Sequence, residues 1–128
     1  MKIVLLSGGS GLRLFPLSNE IRSKQFIKFF STPEGSRESM LQRVFRQIRS
    51  VFGDVDITIA TSRSQVSTIK NQLGDELSIS IEPSRRDTFP AIFLAAMYLK
   101  DVKRVSSDEK IIVCPIDPYV DEKFFAAL

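Results

Sequence analysis

Short apolar runs alternate along the chain with longer segments that have the spacing of a helix. The apolar runs predict strands over Lys2–Ser7, Val55–Thr61, Leu77–Glu82 and Lys110–Ile116. The segments with helical spacing are Glu38–Phe52, a stretch from Ser62 or Ser64 to about Leu73, a stretch from Asp87 or Thr88 to about Lys103, and a last one that begins at Asp121. Strands that alternate with helices predict an α/β layered fold with a parallel sheet and right-handed crossovers.

Some local features of these elements can also be predicted. Ser36 is a candidate N-cap of the first helix, and Ser39 three residues later predicts that no full capping box forms. The near-continuous apolar run over residues 91–97 predicts that the third helix is buried on more than one side. Residues 8–24 are expected to form a loop, whereas Gln25–Phe30 fits a short strand or a helical turn.

Composition narrows the possible chemistry. The 128 residues correspond to one domain or part of one, and 43% hydrophobic side chains are enough to form a core. No apolar run approaches the ~20 residues of a membrane span, and no secretory leader pattern is present, so we expect a cytoplasmic protein. The chain has one cysteine and no histidine, which excludes an internal disulfide, Ser-His and Cys-His nucleophiles and His-ligated zinc. The groups that remain available for catalysis or binding are carboxylates, Lys, Arg, backbone amides and a hard metal ion.

Positive charge is concentrated near the amino terminus. Residues 1–30 carry a local net charge of +4, whereas the whole chain carries +3. A concentrated positive segment favours an anionic ligand close by, although a solvated basic face explains the same charge.

A glycine-rich loop, Gly8–Gly11, follows the first predicted strand. Glycines allow backbone N–H groups to approach a phosphate, and Arg13 can pair with phosphate oxygens. The loop is not a P-loop, because Leu12 and Arg13 follow Gly11 where Lys and Ser or Thr are required. It also lacks the third glycine and the acidic residue of a dinucleotide-binding loop, which disfavours a dinucleotide-dependent oxidoreductase.

Two further candidates, Glu82 and Asp117, lie at the carboxyl ends of predicted strands, where open α/β sheets bind ligands, and a third, Lys24, lies in the loop beyond Pro16. Asp117 follows the fourth predicted strand and is a plausible Mg²⁺ ligand or, equally, a turn-forming residue. Glu82 can accept the N1–H and the exocyclic amine of guanine, or serve as an ordinary capping or ion-paired residue. Lys24 suits a phosphate oxygen, although an exposed lysine is the simpler interpretation.

Three motifs taken together resemble a known family. They are Leu6–Ser18 with Ser23–Phe26, then Glu82–Ile92, then Pro115–Asp117. The set is similar to the signature of the sugar-phosphate nucleotidyltransferases, and most similar to the guanylyltransferases that act on mannose 1-phosphate. The departures from that signature are Leu12 for Thr or Ser, Phe15 for Trp, Ser23 for Pro and Pro118 for His.

The resemblance implies a fold and an activity. The expected fold is α/β, a Rossmann-like three-layer nucleotide-diphospho-sugar transferase fold with a mainly parallel sheet. Residues 1–128 would be its nucleotide-binding N-terminal part, within a longer domain. The implied reaction joins GTP and a sugar 1-phosphate into a GDP-sugar such as GDP-mannose and releases pyrophosphate, with Mg²⁺ as cofactor. Neither nucleic acid nor membrane is an expected partner, and a homo-oligomer is compatible with the family. A non-catalytic nucleotide-binding or sensing module is the alternative.

The resemblance also implies roles for individual residues. Arg13 and Lys24 would be catalytic, and Asp117 would bind the metal. The implied nucleotide-binding residues are Gly8, Gly9, Ser10, Gly11, Glu82, Arg86, Asp87 and Thr88.

Overall fold

The computed structural model describes residues 1–8, 23–84 and 88–128. Within these residues the strands are β1 (Lys2–Ser7), β2 (Phe30–Ser31), β3 (Arg37–Glu38), β4 (Asp56–Ser62), β5 (Ser78–Glu82) and β6 (Ile111–Pro115). The helices are α1 (Met40–Phe52), α2 (Val66–Leu73), α3 (Thr88–Asp101) and α4 (Glu122–Ala126). The chain divides into two compact units, one formed by Met1–Gly8 with Asp56–Pro115 and the other by Gly9–Val55 with Ile116–Leu128.

The first unit contains a parallel sheet with the strand order β5-β4-β1-β6. In its register, Leu5 of β1 lies beside Ile59 of β4 and beside Cys114 of β6. Ile3, Val4 and Leu5 are at most 1% exposed, and because consecutive side chains point to opposite faces of a strand, β1 is buried on both faces. The parallel sheet with flanking helices confirms the predicted fold class.

Helix α3 packs on the sheet through one face. Ala91, Ala95 and Leu99 are spaced four residues apart and are buried, and the last two form a core cluster with Val4 and Ala60. The predicted burial on more than one side is wrong, because Phe93 on another face is 59% exposed. Small residues on the buried face allow a close approach to the sheet, but an apolar sequence alone does not show whether the remaining faces are covered.

Helix α1 in the second unit begins with a full capping box. Ser39 Oγ accepts the N–H of Gln42 at 3.2 Å, and Gln42 Oε1 accepts the N–H of Ser39 at 3.1 Å. The prediction of Ser36 as N-cap without a full box is therefore wrong. Strand β3 pairs with β2 and keeps the backbone extended up to Glu38, which moves the start of the helix beyond Ser36.

Most other predicted boundaries agree with the structure within a few residues. Residues 24–26 form a 3₁₀ turn and β2 begins at Phe30, so Gln25–Phe30 contains a turn followed by extended chain. Helix α2 follows a 3₁₀ turn at Arg63–Gln65, and α4 has Asp121 as its N-cap. In the described ranges, no helix combines the length and the apolarity that a membrane crossing requires.

Candidate functional site

The carboxyl ends of the parallel strands meet at one edge of the sheet in the first unit. Gly8 directly follows β1 and is exposed, and Glu82 ends β5 in register with Ser62 of β4. Neighbouring strands are about 4.8 Å apart, so β1 and β5 are separated by roughly 10 Å across β4. That spacing suits a ligand with two recognised groups, one at each strand end.

A buried polar cluster secures the end of β1. Ser7, Thr61 and Gln65 are all 0% exposed. The Thr61 hydroxyl lies 2.9 Å from Gln65 Oε1 and 3.4 Å from the carbonyl oxygen of Ser7. Buried hydrogen-bonded groups hold a defined geometry, so this cluster sets the point at which the chain leaves the sheet towards Gly8. Sequence analysis missed Thr61 and Gln65, and the only available signal was that polar residues interrupt an apolar pattern.

Glu82 lines a cavity of about 360 Å³ in the first unit. The other lining residues are Pro83, Ser84, Pro90, Phe93 and Leu94. Ligand sites commonly combine apolar walls with a few polar groups that fix orientation. A single carboxylate beside apolar walls can accept two N–H groups from the edge of a flat ring while the walls contact its faces.

Lys24 and Asp117 line a second cavity, which belongs to the second unit and has a volume of about 180 Å³. Lys24 begins the 3₁₀ turn of residues 24–26, and Asp117 follows β6 by two residues. Gln25, Phe29, Phe30 and Met40 complete the lining. A primary ammonium and a carboxylate at one small cavity provide a partner for a phosphate oxygen and a ligand for a hard divalent cation.

Helix α1 holds the chain segment that follows Asp117. Arg43 Nη2 and Gln47 Nε2 both donate to the carbonyl oxygen of Val120, at 3.2 and 3.0 Å. The Arg43 guanidinium lies 4.6 Å from the centre of the Tyr119 ring, which itself stacks on Phe30 with centroids 5.5 Å apart. Hydrogen bonds and a cation–π contact therefore fix residues 119–120 relative to α1, and the stack on Phe30 fixes Tyr119 relative to β2.

A buried carboxylate supports Arg43 and its neighbour on the helix. Glu38 is 4% exposed and accepts from Arg46 Nη2 at 2.8 Å and Nε at 3.1 Å, while Arg43 Nη1 lies 3.9 Å from it. The hydrogen bond to Glu38 raises the pKa of Arg46 above its usual value, and the nearby charges of Glu38 and Glu122 act in the same direction. The positive charges of this face are thus locally compensated.

The donor set fits a metal ion that draws most of its ligands from a substrate. The described part of the chain contains no group of three or more His, Cys, Asp or Glu side chains placed to hold a metal. Mg²⁺ is commonly bound by one or two carboxylates, with phosphate oxygens and waters completing the octahedron. Asp117 fits that mode as a single carboxylate ligand.

The structure places some of the predicted site residues and not others. Lys24 and Asp117 share one cavity, Glu82 lines another, Gly8 ends β1, and Thr88 is the exposed first residue of α3. The remaining candidates lie outside the described residues, and their roles stay predictions: Gly9, Ser10, Gly11, Arg13, Arg86 and Asp87.

Comparison with known proteins identifies the class to which this fold and this arrangement belong. The sequence profile described as nucleotidyl transferase matches residues 2–128, and the chain belongs to that family. The resemblance inferred from the three motifs is therefore confirmed.

The names of individual relatives refer to polysaccharide synthesis and to guanylyl transfer. The chain is 36% identical over 128 residues to the xanthan biosynthesis protein XanB of Xanthomonas campestris pv. campestris, covering 97% of this chain and 26% of that one. It is 34% identical over 119 residues to a mannose-1-phosphate guanylyltransferase of Escherichia coli, covering 89% and 24%. The chain thus spans about a quarter of the length of these curated relatives.

A solved structure shows the same fold. A crystal structure described as mannose-1-phosphate geranyltransferase from Thermus thermophilus superposes with a TM-score of 0.74 at 27% identity. The superposition covers 98% of this chain and 35% of the other.

Proposed function

We propose that this chain is the nucleotide-binding part of a nucleotidyltransferase that makes a GDP-sugar, GDP-mannose in the first instance, from GTP and a sugar 1-phosphate. A phosphate oxygen of the sugar 1-phosphate attacks the α-phosphorus of GTP. The bond from that phosphorus to the oxygen bridging the α- and β-phosphates breaks, and pyrophosphate leaves. The observation that carries the proposal is the shared cavity of Lys24 and Asp117 in a chain of this family.

The reaction requires positioning and charge neutralisation more than proton transfer. The attacking phosphate is already anionic, so no side chain has to remove a proton from it, which suits a chain without histidine. Lys24 would offset negative charge where the two phosphates approach each other, and Arg13 would hold the phosphates that leave. Gly8–Gly11 would bind phosphate oxygens through backbone N–H groups.

Asp117 would hold Mg²⁺, which neutralises phosphate charge when it is bound. Glu82 would accept two N–H groups of guanine, with the apolar walls of its cavity against the ring. Adenine presents no such pair of donors, and uracil and thymine present only one, so a carboxylate here favours guanine over the other bases. The segment Arg86–Thr88 would contact base and ribose.

Calorimetric titration of the chain with GTP, ATP, UTP and dTTP, each with and without Mg²⁺, tests this assignment. GTP binding that strengthens with Mg²⁺ supports it, and equal affinity for all four nucleotides refutes guanine recognition. Glu82→Gln should reduce the preference for GTP over ATP roughly tenfold, the scale of a lost bidentate contact. Glu76→Gln, which changes an exposed glutamate outside the cavity, is the matched control.

The metal role has its own test. Asp117→Asn should raise the Mg²⁺ concentration that gives half-maximal strengthening of GTP binding, whereas Asp108→Asn at another exposed position should not. An unaltered Mg²⁺ titration for Asp117→Asn removes this residue as a ligand. In the natural gene product, release of pyrophosphate from GTP that depends on mannose 1-phosphate distinguishes the enzyme from a module that only binds nucleotide.

A further inference from the structure

We infer that Arg43 is a positioning residue that holds Asp117 in place for the metal ion, acting through Val120 and Tyr119. The inference rests on the proposed function, because it assigns a device that supports the same site. Arg43 lies on α1 and lines neither the cavity of Lys24 and Asp117 nor that of Glu82.

The segment that carries Asp117 contains little regular structure of its own. Residues 116–120 lie between β6 and the N-cap of α4, and helix α4 is only five residues long. Asp117 and Tyr119 are both exposed. The position of the carboxylate therefore depends on contacts that the segment makes with its surroundings.

Arg43 makes two of the contacts between α1 and this segment. One nitrogen donates to the carbonyl oxygen of Val120, and the planar guanidinium covers the Tyr119 ring at 4.6 Å. A cation over an aromatic face is stabilising, and arginine combines that contact with directed hydrogen bonds in a way that lysine cannot reproduce. Gln47 adds a second donor to the same carbonyl oxygen.

The aromatic stack connects this anchor to the cavity. Phe30 lies under Tyr119 with an interplanar angle of 26°, and Phe30 is also a lining residue beside Lys24 and Asp117. The Arg43 guanidinium lies 5.8 Å from the centre of the Phe30 ring as well. One side chain of α1 therefore contacts both the segment that follows Asp117 and a wall of its cavity.

The side chain of Arg43 is largely buried and lies near a buried carboxylate. Its side chain is 15% exposed, and Glu38 lies 3.9 Å from its Nη1. Outer groups that orient a metal ligand commonly contribute ten- to a hundredfold to metal affinity when they contact the ligand directly. Because Arg43 acts on residues two and three positions beyond the ligand, we expect an effect nearer the lower end, about tenfold.

The experiment measures the Mg²⁺ concentration that gives half-maximal strengthening of GTP binding by the full chain. Arg43→Met should raise it about tenfold and leave GTP affinity without Mg²⁺ unchanged, and Arg43→Lys should recover part of the loss. Arg49→Met is the matched control, because Arg49 lies on the same helix over the ring of Phe45 at 5.4 Å and pairs with the exposed Asp54.

A second pair of variants keeps the test decisive if Arg43→Met unfolds the chain. Tyr119 is 68% exposed, so Tyr119→Leu should fold normally while it removes the ring beneath the guanidinium. We expect Tyr119→Leu to raise the Mg²⁺ requirement and Tyr119→Phe to preserve it. A wild-type chain whose GTP binding ignores Mg²⁺ overturns the proposed function and this role together. If Mg²⁺ strengthens GTP binding by the wild type, and Tyr119→Leu and every folded Arg43 variant need the same Mg²⁺ concentration as the wild type, only the positioning role is overturned.

Discussion

Replacing Glu38 by Gln tests how much the ion pair between the buried Glu38 of β3 and Arg46 of α1 stabilises the fold. The carboxylate is 4% exposed and accepts two hydrogen bonds from Arg46, at 2.8 and 3.1 Å. In the variant, the amide removes the negative charge, and one of the two oxygens becomes a nitrogen that cannot accept from the guanidinium. Arg46 would then face a neutral group across a buried contact.

The magnitude follows from burial on each side of the pair. Removing one partner of a fully buried pair costs about 3–5 kcal/mol, and a hydrogen bond to a charged group contributes about 1.5–3 kcal/mol. The Arg46 side chain is 33% exposed and has Glu122 at 3.6 Å as another partner, so it regains hydration and some pairing. We therefore expect the free energy of unfolding to fall by about 2 kcal/mol, which for a chain of this length lowers Tm by roughly 6–10 °C.

Urea unfolding followed by circular dichroism, together with a thermal melt, measures this loss. Asp54→Asn is a sharp control, since its ion pair with Arg49 on the same helix is 2.7 Å long but its side chain is fully exposed. Contact distance alone predicts similar losses for the two variants, whereas burial predicts a loss for Glu38→Gln only. A change below about 0.5 kcal/mol for Glu38→Gln, or an equal loss in both variants, would refute the reasoning.

Three further predictions address the fold by stability and labelling measurements. Ser39→Ala removes the N-cap of α1 and should lower the free energy of unfolding by about 1 kcal/mol in urea, while Ser36→Ala should change it little; the reverse order would support the cap expected from sequence. Leu99→Ala should cost about 2–5 kcal/mol and Phe93→Ala much less, because only Leu99 is buried; similar losses would show that the outer face of α3 is covered. Burial raises the pKa of the Cys114 thiol, so the folded state favours the protonated form, and the stability gained in this way is lost as the pH rises through that raised pKa. An aromatic disulfide reagent should therefore label Cys114 slowly at pH 8 and rapidly in urea, and fast labelling of folded protein would contradict its burial.

The sheet could be predicted because β1 and β6 are short, mainly apolar runs and β4 and β5 alternate apolar with polar residues, and both patterns are typical of strands. Lys2–Ser7 was predicted to the residue, and the other sheet strands to within a residue or two. The capping residue of α1 was missed because the start of that helix depends on how far β3 extends, and that extension is set by pairing with Phe30. The exposed face of α3 was missed because hydrophobicity shows what a residue can contact and not whether a neighbour is present.

In the candidate site, too, some residues could be predicted from sequence and others could not. The motifs nominated Lys24 and Asp117, and the structure brings them to one cavity although they are far apart in sequence. The motifs did not nominate Arg43, because its contact with Tyr119 joins two residues that no local pattern connects. Similarly, the sequence shows Thr61 only as a polar residue within a strand. Its hydrogen bond to Gln65 depends on the 3₁₀ turn that follows β4, which the sequence pattern did not predict.

The strand order has a consequence for the timing of folding. Leu5 is synthesised before both of its sheet neighbours, Ile59 and Cys114, which follow it much later in the chain. Strand β1 consequently stays without one of its partners until more than a hundred further residues have been made. Pairings between such distant positions require large loops to close first, which makes folding slow. During translation, β1 is thus the strand of this sheet that waits longest for its final neighbour.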